Sequence, residues 1–123
     1  DERQEIAAVY NGKPCLDVGL MTDVFSGYGK SDGIIRAVRC MSPDYIVTDE
    51  LGADAESIRQ AVNSGSGLIM TAHADSIEEA YRNDGIRTVI DSGAIQHIAL
   101  VQSHRITAVK QLITAEANAV CTI

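Results

Sequence analysis

The chain has 123 residues, 46% of them hydrophobic and 22% charged, an ordinary globular composition that fits one small domain, can bury a core and need not be disordered. Its formal net charge of -7 argues against a free-standing nucleic-acid binder, which would carry a basic face, but leaves room for a small polyanion held by local groups. No apolar run approaches the roughly 18–20 residues of a membrane span.

Residues 1–10 (DERQEIAAVY) are a charged segment followed by a short apolar stretch. The chain begins on Asp-Glu-Arg without a Met, and the expectation is a fragment or processed product. Gly12, Pro14, Gly19, Gly27, Gly29 and Gly33 make residues 11–33 a long irregular segment. Segments of that kind in a compact domain are functional or mobile.

From residue 34 to 42, Ile34, Ile35, Val38 and Met41 share a helical stripe, with Arg36 and Arg39 off it and Pro43 as the stop. Tyr45, Ile46 and Val47 then read as a short buried strand ending on Asp49 and Glu50. A second amphipathic helix is predicted over 53–64, with Ala55, Ile58, Ala61 and Val62 inward and Gly65 beyond its end. GLIMTAHA is another short apolar run, ending on Thr71, Ala72 and His73. Ser76 and Glu79 form a capping box that opens a helix to about Arg82, and a shorter helix follows over 86–91. Residues 95–102 and 106–113 read as two strands around Ser103-His104-Arg105, a hairpin at the sheet edge. The tail AEANAVCTI carries no signal.

This alternation of strands and helices predicts an α/β fold with a parallel sheet and helical crossovers. With no Trp and a single Phe, its core must be Ile, Val, Leu and Ala. Cys15, Cys40 and Cys121 are odd in number and fit no zinc spacing, so they read as reduced thiols of a cytosolic protein.

Ligands of open parallel sheets bind beyond the carboxyl ends of the strands. Asp49 and Glu50 fall at one such end, His73 at another, and Asp1 and Glu2 after a strand that would lie just upstream. Phosphoryl transfer asks for a positioned metal, an oriented water and neutralised phosphate charge. An Asp at a strand end suits the metal, an adjacent Glu suits the water, and a polar residue on the next strand suits the terminal phosphate. Each feature alone is weak: a strand-end acid pair is more often a solvated turn or helix cap, and a lone His is more often exposed than functional. One crossover-length helix separates the two strand ends, so the two can be sheet neighbours. Gly29-Lys30-Ser31 superficially resembles the end of a phosphate-binding loop, but Val24 stands where that motif needs its first Gly, and Lys30 is expected to be a solvated loop lysine.

In this order, DERQEI, DVGLMTDVFSG, IIRAVRCMSPDYIVTDELG and GLIMTAHADS resemble the stage III sporulation protein AA family, itself similar to the secretion and pilus-motor ATPases that form RecA-like hexameric rings. The resemblance implies a partial RecA-like P-loop NTPase core over residues 1–123: a mostly parallel sheet flanked by helices, with a C-terminal strand pair. PDYIVTDELG looks like the Walker B strand, so Asp49 would position Mg²⁺ and Glu50 would be the catalytic carboxylate. TAHA looks like the His box, so His73 would sense the terminal phosphate. DERQEI looks like an acidic box, with Asp1, Glu2 and Glu5 as candidates for the metal and water environment, the choice among them open. Arg36 or Arg39 would reach a phosphate across a subunit boundary as an arginine finger; two surface arginines among many acids is the equal alternative.

The resemblance further implies an ATPase that, in the intact protein, powers a sporulation-associated transport complex. Its partners would be other copies in a ring and membrane proteins of that complex, with nucleic acid absent, on the cytoplasmic, mother-cell side. A Walker A loop does not occur in this sequence, so the chain by itself is expected to bind neither ATP nor Mg²⁺ well and to be inactive. Its missing neighbours predict an exposed apolar sheet edge that pairs with a second copy. The competing class is a non-enzymatic α/β interaction module in which Asp49, Glu50 and His73 are structural or solvated. A receiver-like domain would need a further strand carrying an acceptor Asp in register, and none is found.

Overall fold

The computed structural model describes residues 1–50, 55–112 and 119–122, with Ala55 and the last four by backbone alone. Among these described residues, four helices and five strands follow the irregular first 29: α1 Lys30–Met41, β1 Tyr45–Thr48, α2 Ala55–Asn63, β2 Gly67–Thr71, α3 Ile77–Ala80, α4 Asp84–Asp91, β3 His97–Gln102, β4 Arg105–Gln111 and β5 Ala119–Thr122.

Helix α1 starts a full turn before the apolar stripe predicts. Gly33 hides that turn from a pattern reading, yet it is buried, and a Cβ there would sit 3.7 Å from the Tyr28 Cβ and 3.8 Å from the Phe25 Cβ. Pro43 stops the helix, with Ser42 in the left-handed region at φ 46°. Helix α2 ends as its glycine predicts: Gly65 lies at φ 90° and donates its N–H to Val62 O. Ser76 caps α3 by accepting from the Glu79 N–H, while the Glu79 carboxylate takes the Asp75 N–H, one residue before the usual partner in a capping box.

The sheet order is β1-β2-β5-β3-β4. β1, β2, β5 and β3 run parallel, and β4 is the antiparallel edge. The tail with no readable signal therefore supplies an interior strand, the only pairing partner that β2 and β3 share among the described residues. β3 and β4 form the predicted hairpin, closed by Ser103 and His104 in left-handed conformations.

Alternation assigns the two faces. Ile46, Leu68, Met70 and Ile98 point into one core, joined by Ile34 of α1, Ile58 and Ala61 of α2, Ile77 and Ala80 of α3, and Ile86, Val89 and Ile90 of α4. On the opposite face Tyr45, Val47 and Ile69 are exposed, Val47 and Ile69 being direct cross-strand partners. Among the described residues, all four helices thus contribute to the core on one side of the sheet. Lys110 lies on that side with its ammonium over the Tyr81 ring, fastening β4 to the end of α3. Cys15 and Cys40 are free and exposed.

Candidate functional site

The Thr48↔Met70 pairing of two parallel neighbours brings the carboxyl ends of β1 and β2 side by side. Asp49 follows β1 directly, and its side chain is only 2% exposed. A carboxylate so buried needs compensation, and two segments supply it. The Lys30 ammonium, at the first residue of α1, lies 2.8 Å from Asp49 Oδ1 and is itself 9% exposed. The Arg3 backbone N–H donates to Oδ2 at 3.2 Å. Burial pushes the Asp49 carboxyl up, but the Lys30 ammonium and the Arg3 N–H outweigh it and hold the group below the usual carboxylate range.

Lys30 is therefore not the solvated loop lysine its flanking glycines suggest. Its ammonium also donates to the backbone carbonyls of Asp49, at 3.4 Å, and of Glu50. The rejected motif was a poor guide because the useful feature was not a loop: Lys30 opens a helix aimed at the end of β1.

Arg3 is the second residue that sequence reasoning missed. Besides its N–H contact to Asp49, its guanidinium pairs with Glu50 Oε2 at 2.5 Å. The available signal was one cation inside DERQE, a segment otherwise read for its acids. Those acids hold different posts. Asp1 turns its carboxylate inward, accepting from Ile6 N at 3.0 Å and Ala7 N at 2.9 Å, so it shapes the loop that delivers Arg3. Glu2 is exposed and lines the cavity described below, and Glu5 is exposed.

His73 is exposed, two residues beyond β2, and among the described residues no hydrogen bond or ion pair joins it to Asp49 or Glu50. Arg36 pairs with Asp32 at 2.8 Å one turn earlier in α1 and lies over the Tyr28 ring, 5.6 Å from its centroid. Arg39 is in the last turn of α1, about 13 Å along the axis from Lys30 at 1.5 Å per residue. Within one chain, then, neither arginine belongs to the cluster around Asp49.

A cavity of about 520 Å³ opens between β1, α1 and the first 29 residues, with Asp1, Glu2, Lys30 and Thr48 among its polar lining and Ile34, Ala37 and Ile46 among its apolar lining. Among the described residues no three His, Cys, Asp or Glu side chains converge as a metal cage. Magnesium rarely uses such cages: it takes one or two carboxylates and leaves the remaining positions to water and phosphate oxygens. Asp49 fits that requirement in donor chemistry. Its Oδ1 is buried, and the ammonium beside it lies out of hydrogen-bonding alignment, so that oxygen has a neighbouring charge and no donor aimed at it.

The family model described as sporulation stage III, protein AA matches residues 1–117. Stage III sporulation protein AA of Bacillus subtilis (strain 168) is 30% identical over 96 residues, which make up 76% of this chain and 31% of that protein. The chain thus spans about a third of the length of this curated relative. No solved structure matches the chain. Among the described residues no helix is long and apolar enough to cross a membrane.

Proposed function

Because this chain belongs to the sporulation stage III, protein AA family, we propose that it carries the acidic half of an ATP-hydrolysing site whose phosphate loop lies elsewhere in the intact protein, within a RecA-like core. The observation that carries the reading is Asp49: a charged carboxylate, nearly inaccessible, at the carboxyl end of a parallel strand, with a second carboxylate directly after it. A buried acid kept ionised by an adjacent ammonium and one backbone N–H is expensive to maintain and suits a site that handles charge.

In this reading Asp49 would hold the water shell of Mg²⁺, which when bound supplies charge neutralisation at the phosphates. Glu50 orients the attacking water and accepts its proton; its side chain is about a third exposed, so solvent reaches it. Arg3 fixes the Glu50 carboxylate through their ion pair. His73, one strand over, would make the contact to the terminal phosphate. The work of the cycle would serve a transport complex of sporulation, with ring assembly and membrane-protein partners belonging to the intact protein.

The test is Glu50→Gln in the full-length protein. Turnover of ATP should fall about 10²-fold or more, the range of a lost general base, while nucleotide affinity changes little. Turnover that survives would move the role to Glu2 or Glu5. A second reading, a non-enzymatic interaction module, draws on one observation: both acids of the pair are already engaged by Lys30 and Arg3 within this chain. On that reading the full-length protein shows no ATP turnover for Glu50→Gln to remove.

A further inference from the structure

We infer that Lys30 is a displaceable counter-cation that holds the Asp49 carboxylate until a metal ion arriving with an anionic ligand takes its place; this rests on the magnesium role proposed above for Asp49. Asp49 carries a single negative charge. One oxygen is spent on the Arg3 N–H, and the other has the Lys30 ammonium 2.8 Å away. A divalent cation sharing that second oxygen would lie within a few ångströms of an ammonium, in surroundings with little water to screen the repulsion. Lys30 and the metal therefore exclude each other at Oδ1.

The way Lys30 is held suits a residue that leaves. Its ammonium is in ion-pair range of Oδ1 but out of alignment for a hydrogen bond, and its remaining contacts are to two backbone carbonyls rather than to a second carboxylate. It sits on a flexible four-carbon stem at the first residue of α1, where the helix has no side-chain cap to lock the turn. A cation released there loses a buried carboxylate partner and needs another anion. Metal alone offers none, whereas metal with a polyphosphate offers one. The site consequently discriminates against a bare divalent ion and accepts the metal–nucleotide pair.

The experiment is Mn²⁺ binding to the full-length protein, read as loss of the free-ion paramagnetic resonance signal, without nucleotide. Lys30→Met should bind Mn²⁺ at least tenfold tighter than the unmodified protein, and Lys30→Arg, which keeps the cation, should stay weak. Equal affinity of Lys30→Met and the unmodified protein overturns the inference. Should Lys30→Met fail to fold, the unmodified protein still decides. With ¹⁵N-labelled lysine, the Lys30 ammonium resonance should move when Mg²⁺ and a non-hydrolysable ATP analogue are added together and stay put with Mg²⁺ alone. No movement on the joint addition overturns it. Asp49→Asn separates the two levels. If it binds Mn²⁺ with the analogue as tightly as the unmodified protein, the metal role of Asp49 is wrong. If it loses that binding while Lys30→Met gains nothing, only the displacement is wrong.

Discussion

Asp49 keeps its charge in a nearly dry setting because an ammonium and a backbone N–H reach it from positions 19 and 46 residues away in the chain. That arrangement has a pH signature. Its carboxyl titrates lower in the folded state than in the unfolded chain, so its contribution to stability is complete above the ordinary Asp value near pH 4 and disappears as pH falls through the lowered native value. Acid titration followed by circular dichroism should therefore show stability dropping below about pH 4. Asp49→Asn should be less stable at neutral pH yet lose less on acidification. Removing the other partner is harsher: Lys30→Met leaves a buried carboxylate uncompensated and should cost about 3–5 kcal/mol, the range for breaking one half of a buried pair. The double variant Lys30→Met/Asp49→Asn should recover part of that loss, and chemical denaturation of the four proteins measures the coupling. Asp49 was legible from its place after an apolar run, but its partners were not. A periodicity reading sees residues near in sequence, whereas Lys30 and Arg3 act through the folded backbone.

Helices and strands with a strong repeat were readable almost to their ends. β1 and β2 lie where their apolar runs predict, although Tyr45 and Val47 are exposed where a buried strand was expected, because the helices pack on the other face. Helix α2 keeps the inward face assigned to it, apart from Ala55, whose side chain lies outside the described residues. What stayed hidden was β5, a four-residue strand in a stretch of small residues with no alternation and no turn signal beside it. Its identity is set by the gap it fills between β2 and β3, which no local pattern announces. The β3–β4 hairpin turns the other way, from local chemistry. Ser103 and His104 both sit at positive φ, 50° and 61°, where non-glycine residues are strained, in a two-residue turn that favours Asn-Gly. Ser103→Asn with His104→Gly should raise the melting temperature by a few degrees, equivalent to roughly 0.5–1 kcal/mol.

At the level of the molecule, the described residues cover one face of the sheet. Parallel sheets normally bury both faces, yet Tyr45 and Val47 are 63% and 50% exposed, and Ile69 lies beside them. A contiguous aliphatic and aromatic patch of this sort drives association in dilute solution. Sedimentation velocity on the isolated chain should show concentration-dependent self-association, weakened by roughly 100-fold in Val47→Lys/Ile69→Lys, since two aliphatic side chains each contribute about 1.5 kcal/mol or more when buried. A monomer at all concentrations would mean the patch is too small to act alone. The interior placement of β5 also governs how synthesis proceeds. While the ribosome is still extending toward residues 119–122, no described strand joins β1 and β2 to β3 and β4, so the two pairs form separate ribbons, each with an open hydrogen-bonding margin where β5 will lie. Until those residues emerge, the nascent polypeptide presents two sticky margins to chaperones and to neighbouring nascent chains, and a stall just short of them leaves the ribbons unjoined.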